Sequence, residues 1–126
     1  MDPSIPGAYC AFTSPEYCYR AAAIIIRGYE GRGIHTLGNL TLGDGSLKRG
    51  LIYTWAPPED GNPSEQYLNN VCNWTGVGPQ TVLLRLGTLD VLRAMTRQES
   101  GDEVSKTIPD STILLGITLS NPQPET

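Results

Sequence analysis

Thr88-Leu89-Asp90-Val91-Leu92-Arg93-Ala94-Met95-Thr96-Arg97-Gln98-Glu99-Ser100-Gly101 is the stretch on which the fold turns. Val91, Met95 and Glu99 recur at i, i+4 and i+8, and Leu92 and Thr96 widen the same stripe, which is the period of an amphipathic helix. Thr88 offers a hydroxyl cap and Gly101 a stop. The last member of the stripe is a carboxylate. On a core-facing side an ionised group needs a partner or a purpose, and the last helical turn opposes negative charge. Burial and dipole therefore both push the Glu99 pKa upward, the condition under which a carboxylic acid stays protonated and serves as a general acid. The bland alternative is a rim residue beyond the core.

Working outward, similar helix starts recur. Ser14-Pro15-Glu16 combines a hydroxyl cap, a first-position proline and a first-turn acid, predicting a helix to about Glu30 that stops at Gly31-Arg32-Gly33. Its middle, Ala21 to Ile26, is apolar all round, as suits a central helix packed on several sides. Thr41 to Leu47 alternates around Gly43-Asp44-Gly45 and reads as a small hairpin or protruding loop. A helix is expected from Leu47 to Trp55, cut by Pro57-Pro58. Asn62-Pro63 starts another, with Tyr67, Leu68, Val71, Cys72 and Thr75 on one face, ended by Gly76. Pro79 to Leu86 reads as a short apolar helix. Pro109-Asp110 starts the last, striped by Ile113, Leu114 and Ile117. The expected fold class is mainly α with a small β-hairpin or loop insertion. The expected organisation is a single domain over 1–126: an N-terminal arm at 1–13, a helical core at 14–119 with the insertion at 40–50, and a C-terminal arm at 120–126.

Composition narrows the function. Nine Lys plus Arg stand against thirteen Asp plus Glu, with no basic run, so no nucleic acid is expected as a partner. The longest apolar run is too short to span a bilayer, and no signal peptide is visible, so synthesis in a cytoplasm is expected. Of three cysteines, Cys10, Cys18 and Cys72, at least one is unpaired, and a single histidine, His35, leaves no set of metal ligands. Neither a metal nor a cofactor is expected.

Beyond Glu99, four residues are candidates for binding. Trp55 precedes two prolines that fix its backbone and can offer an indole face to a sugar ring, although a core tryptophan is the commoner outcome. Glu59 can supply a second carboxylate to a hydrolase, against its simpler role as a solvated acid ahead of a helix start. Tyr53 and Tyr67 can hydrogen-bond a substrate or serve the fold. Arg20 and Arg27 are candidate partners for acids such as Glu99, a pairing that would keep the carboxylate ionised.

Three segments carry a resemblance. They are Phe12-Thr13-Ser14-Pro15-Glu16-Tyr17-Cys18-Tyr19-Arg20-Ala21, then Gly50-Leu51-Ile52-Tyr53-Thr54-Trp55-Ala56-Pro57-Pro58-Glu59 with Tyr67 and Val71 beyond it, and Arg93-Ala94 leading to Arg97-Gln98-Glu99-Ser100-Gly101. In this order they resemble a family of small phage virion structural proteins related to lysozyme-like domains, over about residues 8 to 119. The Gln-Glu-Ser-Gly segment is similar to the one that carries the catalytic glutamate of lytic transglycosylases. The resemblance implies a compact lysozyme-like helical domain in a virion, with other virion proteins or further copies of itself as partners. Family members open with an Asn-Pro-Gly-Asn segment that has no counterpart here, and residues 40 to 49 are an insertion. Both departures imply a structural or assembly module with weak or lost muralytic activity. The alternative is an active peptidoglycan glycosidase or lytic transglycosylase using Glu99 as general acid. A second alternative is a small acidic phage-encoded inhibitor of a host protein.

Overall fold

A computed structural model describes residues 15–121 of the protein. Six α-helices, one two-stranded antiparallel hairpin and a single 3-10 turn at Pro58–Asp60 make up its regular structure there: α1 Pro15–Gly31, β1 Leu40–Thr41, β2 Leu47–Lys48, α2 Leu51–Trp55, α3 Ser64–Thr75, α4 Leu89–Ser100, α5 Asp102–Thr107 and α6 Asp110–Ser120. The mainly helical class and the small hairpin are as expected. The arm expected at 1–13, the Ser14 cap and residues 122–126 of the arm expected at 120–126 lie outside the described residues; Ser120, expected in that arm, still belongs to α6.

Helix α4 follows its sequence pattern. Thr88 sits in extended geometry and its side chain accepts a hydrogen bond from the Val91 amide at 3.4 Å, while Val91, Leu92, Ala94, Met95 and Thr96 are buried. Against it packs a core that includes Tyr19, Ile26, Leu37, Leu51, Ile52, Trp55, Leu86 and Ile113, each fully buried. The Tyr19 hydroxyl and Thr96 Oγ1 lie 2.7 Å apart and Thr96 donates to Leu92 O, so the polar atoms inside α4's stripe are satisfied.

Helix α1 is less central than its apolar run suggests. Cys18, Tyr19, Ala22, Ala23, Ile26 and Tyr29 form its buried face, but Ile24 is 42% exposed. Six consecutive apolar residues circle the helix more than once, and only α6 and the core cover one side. The α1–α6 contact is close because of Gly116. A β-carbon there would collide with the Tyr19 β-carbon and come 2.7 Å from the Glu16 carbonyl oxygen. The α6 stripe is accordingly Ile113, Gly116 and Ser120, and Leu114, expected inside, is 47% exposed.

Two further expectations fail for local reasons. The helix expected from Leu47 begins at Leu51, because Leu47 and Lys48 pair with Thr41 and Leu40 in the hairpin. The Asp44 carboxylate takes the Ser46 amide at 2.9 Å and its hydroxyl at 2.6 Å, and Gly45 turns at φ +86°, so the tip closes on itself. This leaves Leu42 and Leu47 exposed. The segment from Pro79 to Leu86 is not helical; it is a strap whose polar groups bond sideways. Gly38 N–H donates to Pro79 O at 2.6 Å, Leu83 N–H to His35 O at 2.7 Å, and Leu86 N–H to the Glu30 carboxylate at 2.8 Å. With those bonds made across the molecule, the segment forms no helical ladder of its own, and Val82 and Leu84 remain exposed. Helix α5 was not foreseen. It starts where Gly101, at φ +92°, breaks the path of α4.

Short α2 is placed by the loop before it: Leu51 and Ile52 amides donate to Thr36 and Leu37 carbonyls at 2.8 and 3.1 Å, filling donors that a helix start leaves open. Trp55 is thereby delivered to the core beside α3 and α4.

Replacing Gly116 by Ala tests the α1–α6 contact. Overpacking costs about 1–3 kcal/mol, against a helix-propensity gain of about 1 kcal/mol. Thermal unfolding followed by far-ultraviolet circular dichroism should show Tm lowered by about 5 °C; an unchanged or raised Tm would mean that the helices have room to spare.

Candidate functional site

The last turn of α4 brings three of the five candidate residues together. Glu99 is half-buried there; Trp55 from the end of α2 and Tyr67 from the first half of α3 converge on its carboxyl. Their positions follow from the stripes. Tyr67 and Val71 are the buried face of α3, and the Asn70 amide donates to the Gln98 side chain at 2.8 Å, holding α3 beside the residue that precedes Glu99. Trp55 is fully buried, and Tyr67 is 3% exposed. Each points its polar atom at the carboxyl in a contact looser than a full hydrogen bond.

The electrostatics are a contest in which burial dominates. Desolvation raises the Glu99 pKa above its ordinary value, and the Trp55 indole and Tyr67 hydroxyl, as donors, work against that rise without cancelling it. The C-terminal end of the α4 dipole acts in the same direction as burial. Tyr67 responds in kind: burial first, then the charge and the hydrogen bonding of Glu99, hold its phenol protonated far into the alkaline range. The result is a carboxyl biased toward its neutral form and faced by two neutral donors.

The suggested arginine partners are committed elsewhere. Arg20 donates to the Leu119 carbonyl at 3.3 Å, and Arg27 donates to the Ser120 carbonyl, to Ser120 Oγ at 2.9 Å and to Asn121 Oδ1 at 2.9 Å. Both cap the C-terminus of α6, where carbonyls are unpaired and positive charge is favoured. His35 likewise has a structural partner, its Nδ1 lying 3.0 Å from the Leu83 carbonyl.

Glu59 and Tyr53 sit apart from this cluster. The Glu59 carboxylate is exposed and gripped by both guanidinium nitrogens of Arg49, at 2.5 and 2.9 Å, and this hydrogen bonding lowers its pKa. It ties the exit of the hairpin to the turn at Pro58–Asp60. Tyr53 lines a shallow open groove of about 460 Å³ with Asn62, Pro63 and Glu65, and Glu99 is not part of its wall. The five residues therefore divide into a buried triad and two surface positions. Cys72 is half-buried, and burial raises its thiol pKa, which leaves it a packing residue rather than a nucleophile. Among the described residues, no cluster of His, Cys, Asp or Glu can hold a metal ion, and no helix is long and apolar enough to cross a membrane.

Two residues that the sequence did not single out as site candidates line a separate surface cavity. Trp74, near the end of α3, carries the Arg97 guanidinium 4.2 Å from its ring centre, on the side of α4 away from Glu99. The signal was available: Asp90, Ala94 and Arg97 recur at i, i+4 and i+7, a second stripe on the same helix. Compared with family models, curated proteins and solved structures, the chain finds no match.

Glu99 should leave its mark on stability. Its folded-state pKa lies above the ordinary 4.5, so folding takes up a proton. Its favourable contribution is complete at low pH and declines as pH rises through the raised folded value. Glutamine keeps the shape and cannot ionise. Urea unfolding at about pH 4 and pH 7 should show Glu99→Gln gaining on wild type as pH rises. A difference that stays constant, or runs the other way, would place the carboxyl in ordinary solvent.

Proposed function

We propose that the chain is a bacteriophage virion module built on a lysozyme-like helical domain, with its ancestral acid kept as part of the core and muralytic activity weak or lost. One observation carries this reading. The Glu99 carboxyl is faced by two buried donors from two other helices, an arrangement that serves packing whether or not a substrate ever arrives. Three placements support it. The Trp55 ring is fully buried, so no indole face is offered to a sugar beside Glu99. Glu59, the candidate second carboxylate, is neutralised by Arg49. Leu42 and Leu47 stand exposed on the projecting hairpin, apolar surface that suits contact with another virion protein or a second copy.

The enzyme reading keeps one observation of its own: a carboxyl held toward its neutral form at a helix end is what a general acid for glycoside cleavage requires. Peptidoglycan would be the substrate, with Glu99 the proton donor.

Two assays separate these readings. In a turbidity assay on purified sacculi, wild type and Glu99→Gln should both leave the sacculi intact. Lysis by wild type that falls by about a hundredfold or more in Glu99→Gln would establish the enzyme instead. Mass spectrometry of purified particles should find the chain, and serine at both Leu42 and Leu47 should lower its recovery without unfolding it. Its absence from particles made while it is expressed would contradict a virion role.

A further inference from the structure

A cavity lies between α3, α4 and α5, on the side of α4 away from Glu99. Its volume is about 230 Å³, below the range of drug-sized sites and suited to a single ring. Buried Ala94 and Ser105 lie at its base, and Trp74, at 37% exposed, contributes an indole wall. The polar groups around it are fixed. Arg93 donates to the Ser105 carbonyl at 2.6 Å, the Ile108 carbonyl at 2.6 Å and the Asp110 carboxylate at 2.8 Å. Arg97 and Lys106 share the Asp102 carboxylate at 3.1 and 2.9 Å. Asp90, in the first turn of α4, lines the cavity with a carboxylate that has no hydrogen bond or ion pair among the described residues.

Charge decides which ligand fits. Every cation here already faces a carboxylate: Arg93 faces Asp110, and Arg97 and Lys106 face Asp102. An incoming anion would have to displace an existing partner and would also meet the Asp90 carboxylate. A cation would meet Arg97 and Lys106. A neutral polyol faces neither penalty, because its hydroxyls can donate to Asp90 and accept from the spare N–H groups of Arg97 and Lys106. Its C–H face can lie against the exposed part of the Trp74 indole, one face of which the Arg97 guanidinium already covers at 4.2 Å, and rings gain from aromatic walls with little loss of freedom. Because Arg93, Arg97 and Asp102 are already held in place, little side-chain entropy is lost on binding.

We propose that this cavity is a carbohydrate-binding subsite for one neutral pyranose ring of a surface polysaccharide, with Trp74 as its apolar wall and Asp90, Arg97 and Lys106 as its hydroxyl partners. The subsite is independent of catalysis at Glu99 and would give a virion module a hold on a glycan without cleaving it.

The two tryptophans make the test specific, since Trp74 reports on this cavity and Trp55 on the Glu99 cluster. The full chain, labelled with nitrogen-15, is titrated with chitotetraose and, separately, cellotetraose, while both indole N–H resonances are followed; glycine and inorganic phosphate are the charged controls. The expected result is a saturable shift of the Trp74 resonance with either sugar at a Kd of about 1 mM, with Trp55 unmoved. Trp74→Ala and Asp90→Asn should each weaken binding about tenfold or more while circular dichroism stays unchanged. Asp90 is exposed and has no partner among the described residues, so its variant tests the subsite even if Trp74→Ala fails to fold. The subsite would be overturned by no saturable Trp74 shift with either sugar, by a shift produced equally by phosphate or glycine, or by full binding by Asp90→Asn. A shift confined to Trp55 would also overturn it, by placing the sugar at the Glu99 cluster.

Discussion

Burying an indole N–H and a phenol hydroxyl inside a small helical core sets a demand that apolar packing cannot meet. Trp55 and Tyr67 arrive from different helices, α2 and α3, each almost wholly removed from water. A buried donor left without an acceptor costs on the order of 1–3 kcal/mol, so both need an acceptor at the place where their helices meet α4. Glu99 faces both from the final turn of α4, just before Gly101 redirects the chain, in contacts looser than full hydrogen bonds. The junction of three helices thus gathers around one half-buried carboxyl, and the neighbouring Asn70–Gln98 hydrogen bond holds α3 to α4 beside it.

That solution has a chemical consequence. An acceptor placed where it is desolvated, and at the negative end of a helix, favours its proton, which is also the state in which it can give one away. Packing and acid catalysis therefore ask for the same residue in the same environment, and a fold can keep the carboxyl after it has stopped using it. Surrounding residues distinguish the two cases better than Glu99 itself does. A glycosidase needs a sugar platform and a second carboxylate in reach, whereas here the Trp55 ring is enclosed and Glu59 is bound to Arg49. What remains open to solvent is the opposite side of α4, where Trp74, Asp90 and Arg97 stand.

Much of this was legible in the sequence where local rules and burial agree. The α4 stripe with its Thr88 cap, the Gly76 stop and the hairpin around Asp44-Gly45 all follow from spacing and turn chemistry. The convergence of Glu99 with Tyr67 was half legible, since each ends or joins an apolar stripe, but which donors they face depends on how α2 is seated by the carbonyls of Thr36 and Leu37. The failures share one cause: bonds made between segments distant in the chain. Pro79 to Leu86 has helical composition and becomes a strap because His35, Gly38 and Glu30 take its polar groups. Arg20 and Arg27 were matched to an acid by charge, while the unpaired carbonyls ending α6 lay closer. Leu114 looked internal until Gly116 set which side of α6 meets α1.

The protonation state of Glu99 is where these arguments meet, and carbon-13 NMR of its side-chain carboxyl reads it directly. Titrated in the native protein, the resonance should have its midpoint above the ordinary 4.5. Tyr67→Phe should move the midpoint further up, because a donor that favours the ionised form has been removed. A midpoint at or below 4.5 in the wild type, or one that ignores the loss of the Tyr67 hydroxyl, would contradict the account in which a single half-buried carboxyl sits where the three helices meet.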